Sequence, residues 1–418
     1  MTESVIDFPR WRVLIAAIVV MLCTGSTYAF SVLIGPLAAV HHWSAETILL
    51  AFTINMAIAP IPMIISGKIV DKNHARACVL AGGVLYGIGY FLMGMSNSIL
   101  TFYLSYGLIC GFATAFAYSG CLGNITRLFP DKRGLAIGLV TAGNGGSAII
   151  FAPLLSFLIQ SNGVLFAIRL VGCIFVVVCL IAGLLTRTAP TDYRPKGWAP
   201  PSDLKTSDKS SSGLPWYKML GTLRFYLIFI IFGIGTLSGL MIVSNLARIG
   251  QSMFALSATV AALYVSFYSL SNCLGRIVWG AISDKIGRYF AMMSIFIVIG
   301  IMLMLMAQTA SPVVFLVSII GIGLCFGGTM GIMPPIVTEN FGTKYYGVNY
   351  GVTFIGYAAA AFFGPRLAVT MAQANHGNFS GAFYIAMFCS LIGIAAIIVY
   401  LFLSRKVPTH KTAMTKSA

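Results

Sequence analysis

Residues 272–288 read NCLGRIVWGAISDKIGR, and this stretch says most about the fold of the chain. Its first part is apolar and helical in character, yet it contains an arginine, Arg276. Its second part, GAISDKIGR at 280–288, is a glycine-led basic turn. A fixed cation in hydrocarbon is costly unless something pairs with it. The stretch therefore predicts a membrane helix that holds a small anion and ends in a turn at the membrane surface.

The composition points to a membrane protein. Of the 418 residues, 58% are hydrophobic and only 9% are charged, whereas a soluble domain carries about 25% charged residues. Apolar runs of about 20 residues, long enough to cross a bilayer as helices, recur along the chain. The polar segments contain no nucleophile elbow, metal-ligand cluster or phosphate loop. We therefore expect no enzyme, no cofactor and no bound metal.

We predict an all-α membrane protein with twelve transmembrane helices in two pseudo-symmetric six-helix bundles. The predicted domains are an N-terminal bundle at 1–186, a cytoplasmic linker at 187–222 and a C-terminal bundle with a short tail at 223–418. The linker prediction follows from its prolines, its serine run and its mixed charges. The predicted spans are Trp11–Leu33, Thr47–Ile69, Ala75–Met95, Leu100–Gly120, Gly134–Ile159, Leu165–Thr186, Phe225–Ala247, Ala258–Ala281, Phe290–Ala307, Val313–Val337, Tyr346–Met371 and Ala382–Leu403.

The charge pattern predicts the orientation in the membrane. The formal net charge is +16, which in a soluble protein would suggest nucleic acid. Here the basic residues lie in alternate short loops, the linker and the two ends, with Arg248 as the exception. By the positive-inside rule both termini and the linker are cytoplasmic. We expect a multi-pass protein of the cell membrane, in contact with lipid and without a nucleic-acid partner.

The two halves of the chain repeat each other at an offset of 213 residues. Six glycine or charged positions recur at this one offset, in two separate places, which indicates a duplicated six-helix unit. The matching pairs are Gly67 and Gly280, Asp71 and Asp284, Lys72 and Lys285, Gly134 and Gly347, Gly138 and Gly351, and Gly143 and Gly356.

Two parallel repeats joined by a cytoplasmic linker resemble the major facilitator superfamily over the full length of the chain. The turn at 280–288 resembles that superfamily's cytoplasmic turn, which implies a gating network that latches one conformation. The first-half copy departs from the pattern, because His74 and Ala75 stand where glycine and arginine are expected. The candidate gating residues are Gly67, Asp71, Lys72, Gly280, Asp284, Lys285 and Arg288.

Charges inside the spans bear on the substrate. Arg276 lies deepest, and Asn272 is one helical turn away on the same face. Arg276 is interpreted either as snorkelling to the cytoplasmic surface or, as we favour, as a cavity cation that pairs with a substrate carboxylate. Arg366, near the outer end of the eleventh span, is a possible second anion contact or an interface anchor. No Asp or Glu lies mid-span, which argues against cation substrates.

The chain also resembles the oxalate/formate antiporter family, close to the bacterial monocarboxylate transporters. In that family the arginine of the eighth span binds substrate carboxylate between aromatic side chains, which implies this role for Arg276. Tyr28 and Tyr118 match cavity positions of the family and could donate hydrogen bonds, or they only pack. The matching segments are GSTYAFSV at 25–32, Tyr118, LFPDKRGLA at 128–136, Gly275-Arg276, Met333-Pro334 and Asn349-Tyr350-Gly351.

Departures from that family narrow the range of candidate substrates. The oxalate transporter places a lysine where this chain has Tyr357, and Phe326 and Met330 replace a tryptophan and a tyrosine. One central arginine balances one negative charge, and a second unpaired charge would be costly to bury. We therefore predict a monocarboxylate such as formate, lactate or pyruvate, with oxalate/formate antiport as the alternative.

The predicted mechanism is alternating access, either as anion exchange or as symport with a proton, by a monomer. Two rivals remain open. A drug/proton antiporter would need a carboxylate inside the membrane and a Gly-Pro pair in the fifth span, where Ala152-Pro153 stands instead. A non-transporting carboxylate sensor would usually carry a larger cytoplasmic domain.

Overall fold

The structure is a computed structural model that describes residues 9–189, 193, 195, 213–342 and 345–405. Within these residues the chain is helical, without a β-strand. We number the spans 1 to 12. Their helices are Arg10–Thr24, Gly25–Ala29 and Ser31–His41 (span 1); Ala45–Ala57 and Pro60–Asp71 (2); Ala75–Met93 (3); Ile99–Phe102, Tyr103–Cys110 and Gly111–Leu128 (4); Arg133–Gly145 and Ala148–Asn162 (5); Val164–Leu185 (6); Leu223–Phe254 (7); Ala258–Ile286 (8); Arg288–Gln308 (9); Pro312–Phe341 (10); Tyr346–Thr353 and Ile355–Ala374 (11); and Ser380–Arg405 (12).

Eleven of the twelve spans are long and apolar enough to cross a membrane. Span 8 is the exception, although it has 29 residues. Its serines, Asn272 and Arg276 lower its hydropathy, and it packs between spans of both halves instead of facing lipid on all sides. The fold prediction of an all-α membrane protein is confirmed.

Several spans are interrupted where the sequence prediction drew continuous runs. Span 1 tightens to a 3₁₀ helix at Gly25–Ala29, and span 2 restarts at Pro60, where proline at the first turn costs no hydrogen bond. Span 5 breaks between Gly145 and Ala148. Backbone groups freed in a bilayer need protein partners, so each break marks a place where a neighbouring helix must supply them.

Helix packing follows the predicted duplication. In the first half span 3 packs on spans 4 and 6, span 1 on span 5, and span 2 on span 4. The second half repeats this pattern six spans later: 9 on 10 and 12, 7 on 11, and 8 on 10. The halves meet where span 5 contacts span 8 and span 2 contacts span 11. These contacts extend along both parts of spans 2, 5 and 11, so the halves touch on either side of the centre.

Two buried asparagines hold the ends of the connecting segment. Asn124 donates to the Arg187 carbonyl at 2.9 Å and accepts from the Ala189 amide at 2.8 Å. Asn349 donates to the Leu214 carbonyl at 2.8 Å. Most of the predicted linker lies outside the described residues, and the domain boundaries stay a prediction.

Candidate anion-binding site

A small cavity of about 50 Å³ lies at the centre of the molecule, between the two halves. About 10–15 Å³ suffices for one water molecule, so the cavity has room for a few waters or one very small solute. Thirteen of its sixteen lining residues belong to the first half. The polar ones are Thr24, Thr27, Tyr28, Asn55, Thr114, Tyr118, Asn144 and Tyr357.

Arg276 is buried beside this cavity, with 4% of its surface exposed. That burial rules out the snorkelling alternative. Its Nε donates to Asn272 Oδ1 at 3.3 Å, whereas Nη1, Nη2 and the Asn272 Nδ2 form no well-oriented hydrogen bond with any described residue. Arg276 likewise has no ion pair among the described residues. Three buried donor nitrogens, two of them on the guanidinium, thus lack a partner in the described part of the structure, and leaving them unpaired is costly.

Glycines fix the arginine's backbone by letting span 10 approach span 8. A Cβ on Gly331 would lie 2.9 Å from the Arg276 carbonyl, and one on Gly327 would overlap the Asn272 carbonyl. Gly275 is pressed on the Leu324 carbonyl in the same way. These close backbone contacts hold the helix segment that carries Arg276 against span 10.

Tyrosine hydroxyls connect the cation to the cavity. Tyr118 and Tyr357 both line the cavity, and both lie within the electrostatic reach of Arg276. The Tyr118 hydroxyl is beside the guanidinium, although it is not oriented for a strong hydrogen bond. The Tyr357 hydroxyl contacts Met56 Sδ across the halves at 3.3 Å.

The structure brings together most of the residues predicted for the substrate site. Tyr28, Tyr118, Tyr357 and Met330 line the cavity, and Arg276 and Asn272 adjoin it. Phe326 is fully buried behind Tyr28, edge to face at 6.1 Å between ring centroids. Arg366 does not line the cavity; its guanidinium lies 4.1 Å from the Phe362 ring centroid in the outer part of span 11.

The predicted gating residues lie at the ends of spans 2 and 8 and at the start of span 9, on the side of the membrane that the charge pattern predicts to be cytoplasmic. Arg288 pairs with Asp284 at 2.6 Å and with Glu339 at 3.2 Å, so Glu339 joins an ion-pair network. Lys72 and Lys285 are exposed, and the side chain of Asp71 lies outside the described part of the chain.

The two gating glycines differ in their surroundings. A Cβ on Gly67 would meet the backbone of Gly347 at 4.0 Å, whereas one on Gly280 would have nothing within 4 Å. Span 2 therefore comes close to span 11 at Gly67, whereas no described neighbour approaches Gly280 in this conformation.

Sequence reasoning missed the contribution of span 5. Asn144 lines the cavity, and a Cβ on Gly145 would come within 3.0 Å of Arg276 Nε. Ser269 of span 8 bonds to the span 5 backbone at this point. The available signal was the small polar run NGGS at 144–147 inside an apolar span, together with the 213-residue offset that pairs Asn144 with Tyr357.

Comparisons with known proteins agree with this architecture. A model of the Major Facilitator Superfamily matches residues 16–365. The oxalate:formate antiporter of Oxalobacter formigenes is 30% identical over 92% of this chain and 90% of its own length. Monocarboxylate transporter 13 of Rattus norvegicus is 23% identical over 93% and 88%. A bacterial homolog of the human lysosomal transporter Spinster, solved inward-facing and unoccupied, has a TM-score of 0.67 at 16% identity, covering 96% of this chain and 98% of that one; this likeness concerns the fold alone.

Proposed function

We propose that this chain, a membrane transporter that belongs to the major facilitator superfamily, carries a small monocarboxylate of the formate, lactate or pyruvate type by alternating access. The observation that carries the proposal is the buried, unpaired donor set of Arg276 and Asn272 beside the central cavity. A carboxylate offers two oxygens to a planar guanidinium and forms short, charge-assisted bonds with it. Tyr118 and Tyr357 supply neutral hydroxyls at the cavity wall.

Charge balance favours one carboxylate over two. Arg276 is the cation that adjoins the cavity, and Tyr357 occupies the place of the lysine found in the oxalate transporter of the resembling family. A dianion would bring a second charge that no described cavity-lining residue balances. Oxalate/formate exchange remains the second candidate, because the antiporter that resembles this chain over most of its length is named for these two anions.

Neutralisation of Arg276 by the bound anion bears on whether the carrier exchanges anions or transports them together with a proton. A bound carboxylate removes the uncompensated charge of Arg276, so the loaded site crosses the closed conformation more readily than the empty one. This favours exchange. Symport with a proton is the other mode, and the described cavity-lining residues include no Asp or Glu to carry that proton. We place the protein in the cell membrane with its termini in the cytoplasm, from the distribution of Lys and Arg.

Counterflow in proteoliposomes tests the proposal. Purified protein is reconstituted with unlabelled formate, lactate, pyruvate or oxalate inside, and uptake of the matching labelled anion is measured with and without a pH gradient. We expect uptake of at least one monocarboxylate to exceed that of oxalate. Preferred exchange of oxalate would make the antiporter reading correct, and the absence of uptake with all four anions would reject carboxylate transport.

A pH gradient separates the two modes. Counterflow that is unaffected by the gradient indicates exchange, whereas net uptake driven by an inward proton gradient indicates symport. Liposomes that contain the Arg276→Ala variant at equal protein content provide the control for leak and for unspecific binding.

A further inference from the structure

The break in span 5 is closed by side chains of the other half. The Ala148 amide donates to Ser269 Oγ at 3.2 Å, and that hydroxyl donates to the Gly145 carbonyl at 2.6 Å. Ser266 Oγ contacts the Ala148 carbonyl at 3.2 Å. Backbone groups inside a bilayer need such protein partners, so span 8 completes the hydrogen bonding of span 5 at the level of the cavity.

The same segment of span 5 rests on the anion site. A Cβ built on Gly145 would lie 2.9 Å from Asn272 Oδ1, 3.0 Å from Arg276 Nε and 3.2 Å from Arg276 Nη2. The first of these separations is shorter than real side-chain carbons show and the other two are tight, so an added methyl group would force the Asn272 amide and the Arg276 guanidinium to shift by a few tenths of an ångström. This guanidinium belongs to Arg276, which is 4% exposed and whose Nη1 and Nη2 have no hydrogen-bond partner among the described residues.

We propose that Gly145 is a positioning residue for the transported anion: its bare backbone sets where the Arg276 guanidinium lies, and Ser269 fixes that backbone in place. The inference rests on the proposed function and deepens the same site. The anion-binding cation of the second half is seated directly on the backbone of the first half. Binding of an anion to Arg276 therefore acts directly on the contact between the two halves, because no side chain lies between the guanidinium and the Gly145 backbone.

The bonds to Ser269 explain why an added methyl group cannot be absorbed by a small shift of span 5. Moving the Gly145 backbone away would stretch the 2.6 Å bond to Ser269 and expose backbone groups in the membrane. The strain then falls on the flexible end of Arg276, and its donor nitrogens turn away from the anion. Gly138 supplies a matched control on the same span, because a Cβ there would have nothing within 4 Å.

Anion-dependent thermal stabilisation of the purified full-length protein tests this role, with formate and oxalate as separate probes. A ligand that binds the folded state raises the unfolding temperature according to its affinity. We expect Gly145→Ala to raise the half-saturating anion concentration about three- to tenfold, because the guanidinium must shift by a few tenths of an ångström and displacements near 1 Å cost up to about 100-fold at such sites. Gly138→Ala should stay within about twofold of wild type. Ser269→Ala, which adds no atoms, should fall between them.

Equal half-saturating concentrations for wild type and Gly145→Ala would overturn the proposal, as would equal losses for Gly138→Ala and Gly145→Ala. If Gly145→Ala does not yield folded protein, an unchanged value for Ser269→Ala overturns it instead. Failure of the proposed function gives a different result. Counterflow is then absent, but the anion still stabilises the protein and Gly145→Ala still raises the half-saturating anion concentration. That outcome supports the positioning role. If neither anion stabilises the wild-type protein, lactate and pyruvate are used as probes in the same way, and the positioning role is rejected if none of the four anions stabilises it.

Discussion

The two halves meet along two seams that the duplication makes equivalent but whose chemistry differs. In the serine seam, span 5 contacts span 8 through the hydrogen bonds of Ser269 and Ser266 to the span 5 backbone. In the methionine seam, span 2 contacts span 11 through packing: Tyr357 rests on Met56, and a Cβ on Gly351 would lie 2.8 Å from Ile64 Cγ1. Near the cavity, directional hydrogen bonds hold the serine seam and apolar packing holds the methionine seam, whose polar contact between Gln373 Nε2 and Glu46 Oε2 at 3.5 Å lies at one end.

The difference lies at matched positions. Subtracting 213 from the three polar residues of span 8, Ser269, Asn272 and Arg276, gives three apolar residues of span 2 that line the cavity: Met56, Ala59 and Met63.

A duplicated scaffold thus keeps its helix contacts in both seams, while the residues proposed to bind the anion lie in one of them. Methionine is unbranched and adapts to changing surroundings, which suits a surface that slides in the proposed alternating-access cycle. Hydrogen bonds demand fixed geometry, which suits the seam that holds Arg276 in place.

Replacing Arg276 of the serine seam by an apolar residue should have the largest effect on transport. Arg276→Met copies the residue found in the methionine seam and removes the cation. We expect counterflow of the preferred carboxylate to fall by at least about 30-fold, because losing one partner of a buried charge pair costs about 2–5 kcal/mol. The measurement is counterflow at equal reconstituted protein.

Met63→Leu is the matched control for Arg276→Met, since it changes the equivalent position of the other seam without altering charge. Uptake by Arg276→Met at the wild-type rate would contradict the assignment of the anion site to the serine seam.

A cation added to the methionine seam should change selectivity. Tyr357→Lys places a second positive charge at the cavity wall opposite Arg276, where a dianion can neutralise both. We expect the ratio of oxalate to formate uptake to rise by about tenfold, in keeping with roughly 1.5–3 kcal/mol for a hydrogen bond to a charged group. Competition between the two labelled anions measures the ratio.

Tyr357→Phe keeps the ring, removes the hydroxyl and adds no charge, so it should leave the oxalate-to-formate ratio near that of wild type. A ratio that rises equally in Tyr357→Phe and Tyr357→Lys would show that charge is not the cause.

Crowding the methionine seam should slow transport without weakening binding. Gly351→Ala brings a Cβ within 2.8 Å of the flexible Ile64 side chain, and overpacking of this kind costs about 1–3 kcal/mol. We expect a two- to fivefold lower maximal rate at an unchanged KM, about the effect of part of that strain. Gly347→Ala is the control, because its nearest neighbour would be 3.9 Å away. A raised KM in Gly351→Ala would mean that this seam also shapes the anion site.

Removing an ion pair that lies outside both seams should have the smallest effect on transport. Arg10 pairs with Asp131 at 2.7 Å within the first half. Partial burial opposes ionisation of Asp131, but the hydrogen bond and charge of Arg10 outweigh it and hold the pKa of this carboxyl below its usual value. Because the folded-state pKa is lowered, the stabilisation is present at neutral pH and is lost as the pH falls below about 4.

Thermal unfolding between pH 3 and 7 therefore distinguishes Asp131→Asn from wild type. The variant should unfold at a slightly lower temperature than wild type at neutral pH, and this difference in unfolding temperature should vanish in acid. Counterflow at neutral pH should remain within about twofold of wild type, since the pair belongs to neither seam. A large transport defect would place the Arg10 contact in the gating machinery.

A residue of the candidate site can be predicted from the sequence when its own type or a family resemblance indicates it, and not when its part in the site depends on a contact with the other half. Arg276 was predictable because a lone cation in an apolar helix has few explanations, and Tyr28, Tyr118 and Tyr357 followed from a family resemblance. Gly145 was not predictable, since its role is a contact with a helix more than a hundred residues away.

Helix breaks escaped prediction for a related reason. An apolar run has the same hydropathy whether its backbone is continuous or interrupted, so hydropathy does not locate the break at 145–148; the run NGGS at 144–147 marks a weak point of the helix without showing what would satisfy its backbone. The partner that makes the break tolerable, Ser269, lies in the other half of the chain. Serine is common in membrane helices and usually bonds to its own helix, so its type alone does not indicate that role.

The asparagines at the two ends of the connecting segment bear on how the chain is put together. Asn124 fastens the end that leaves the first half, and Asn349 fastens the end that enters the second. Each half of the chain therefore holds its own end of the connecting segment by hydrogen bonds. Co-expressed fragments divided within 196–212 should for this reason reassemble through the seams and co-purify as a non-covalent pair.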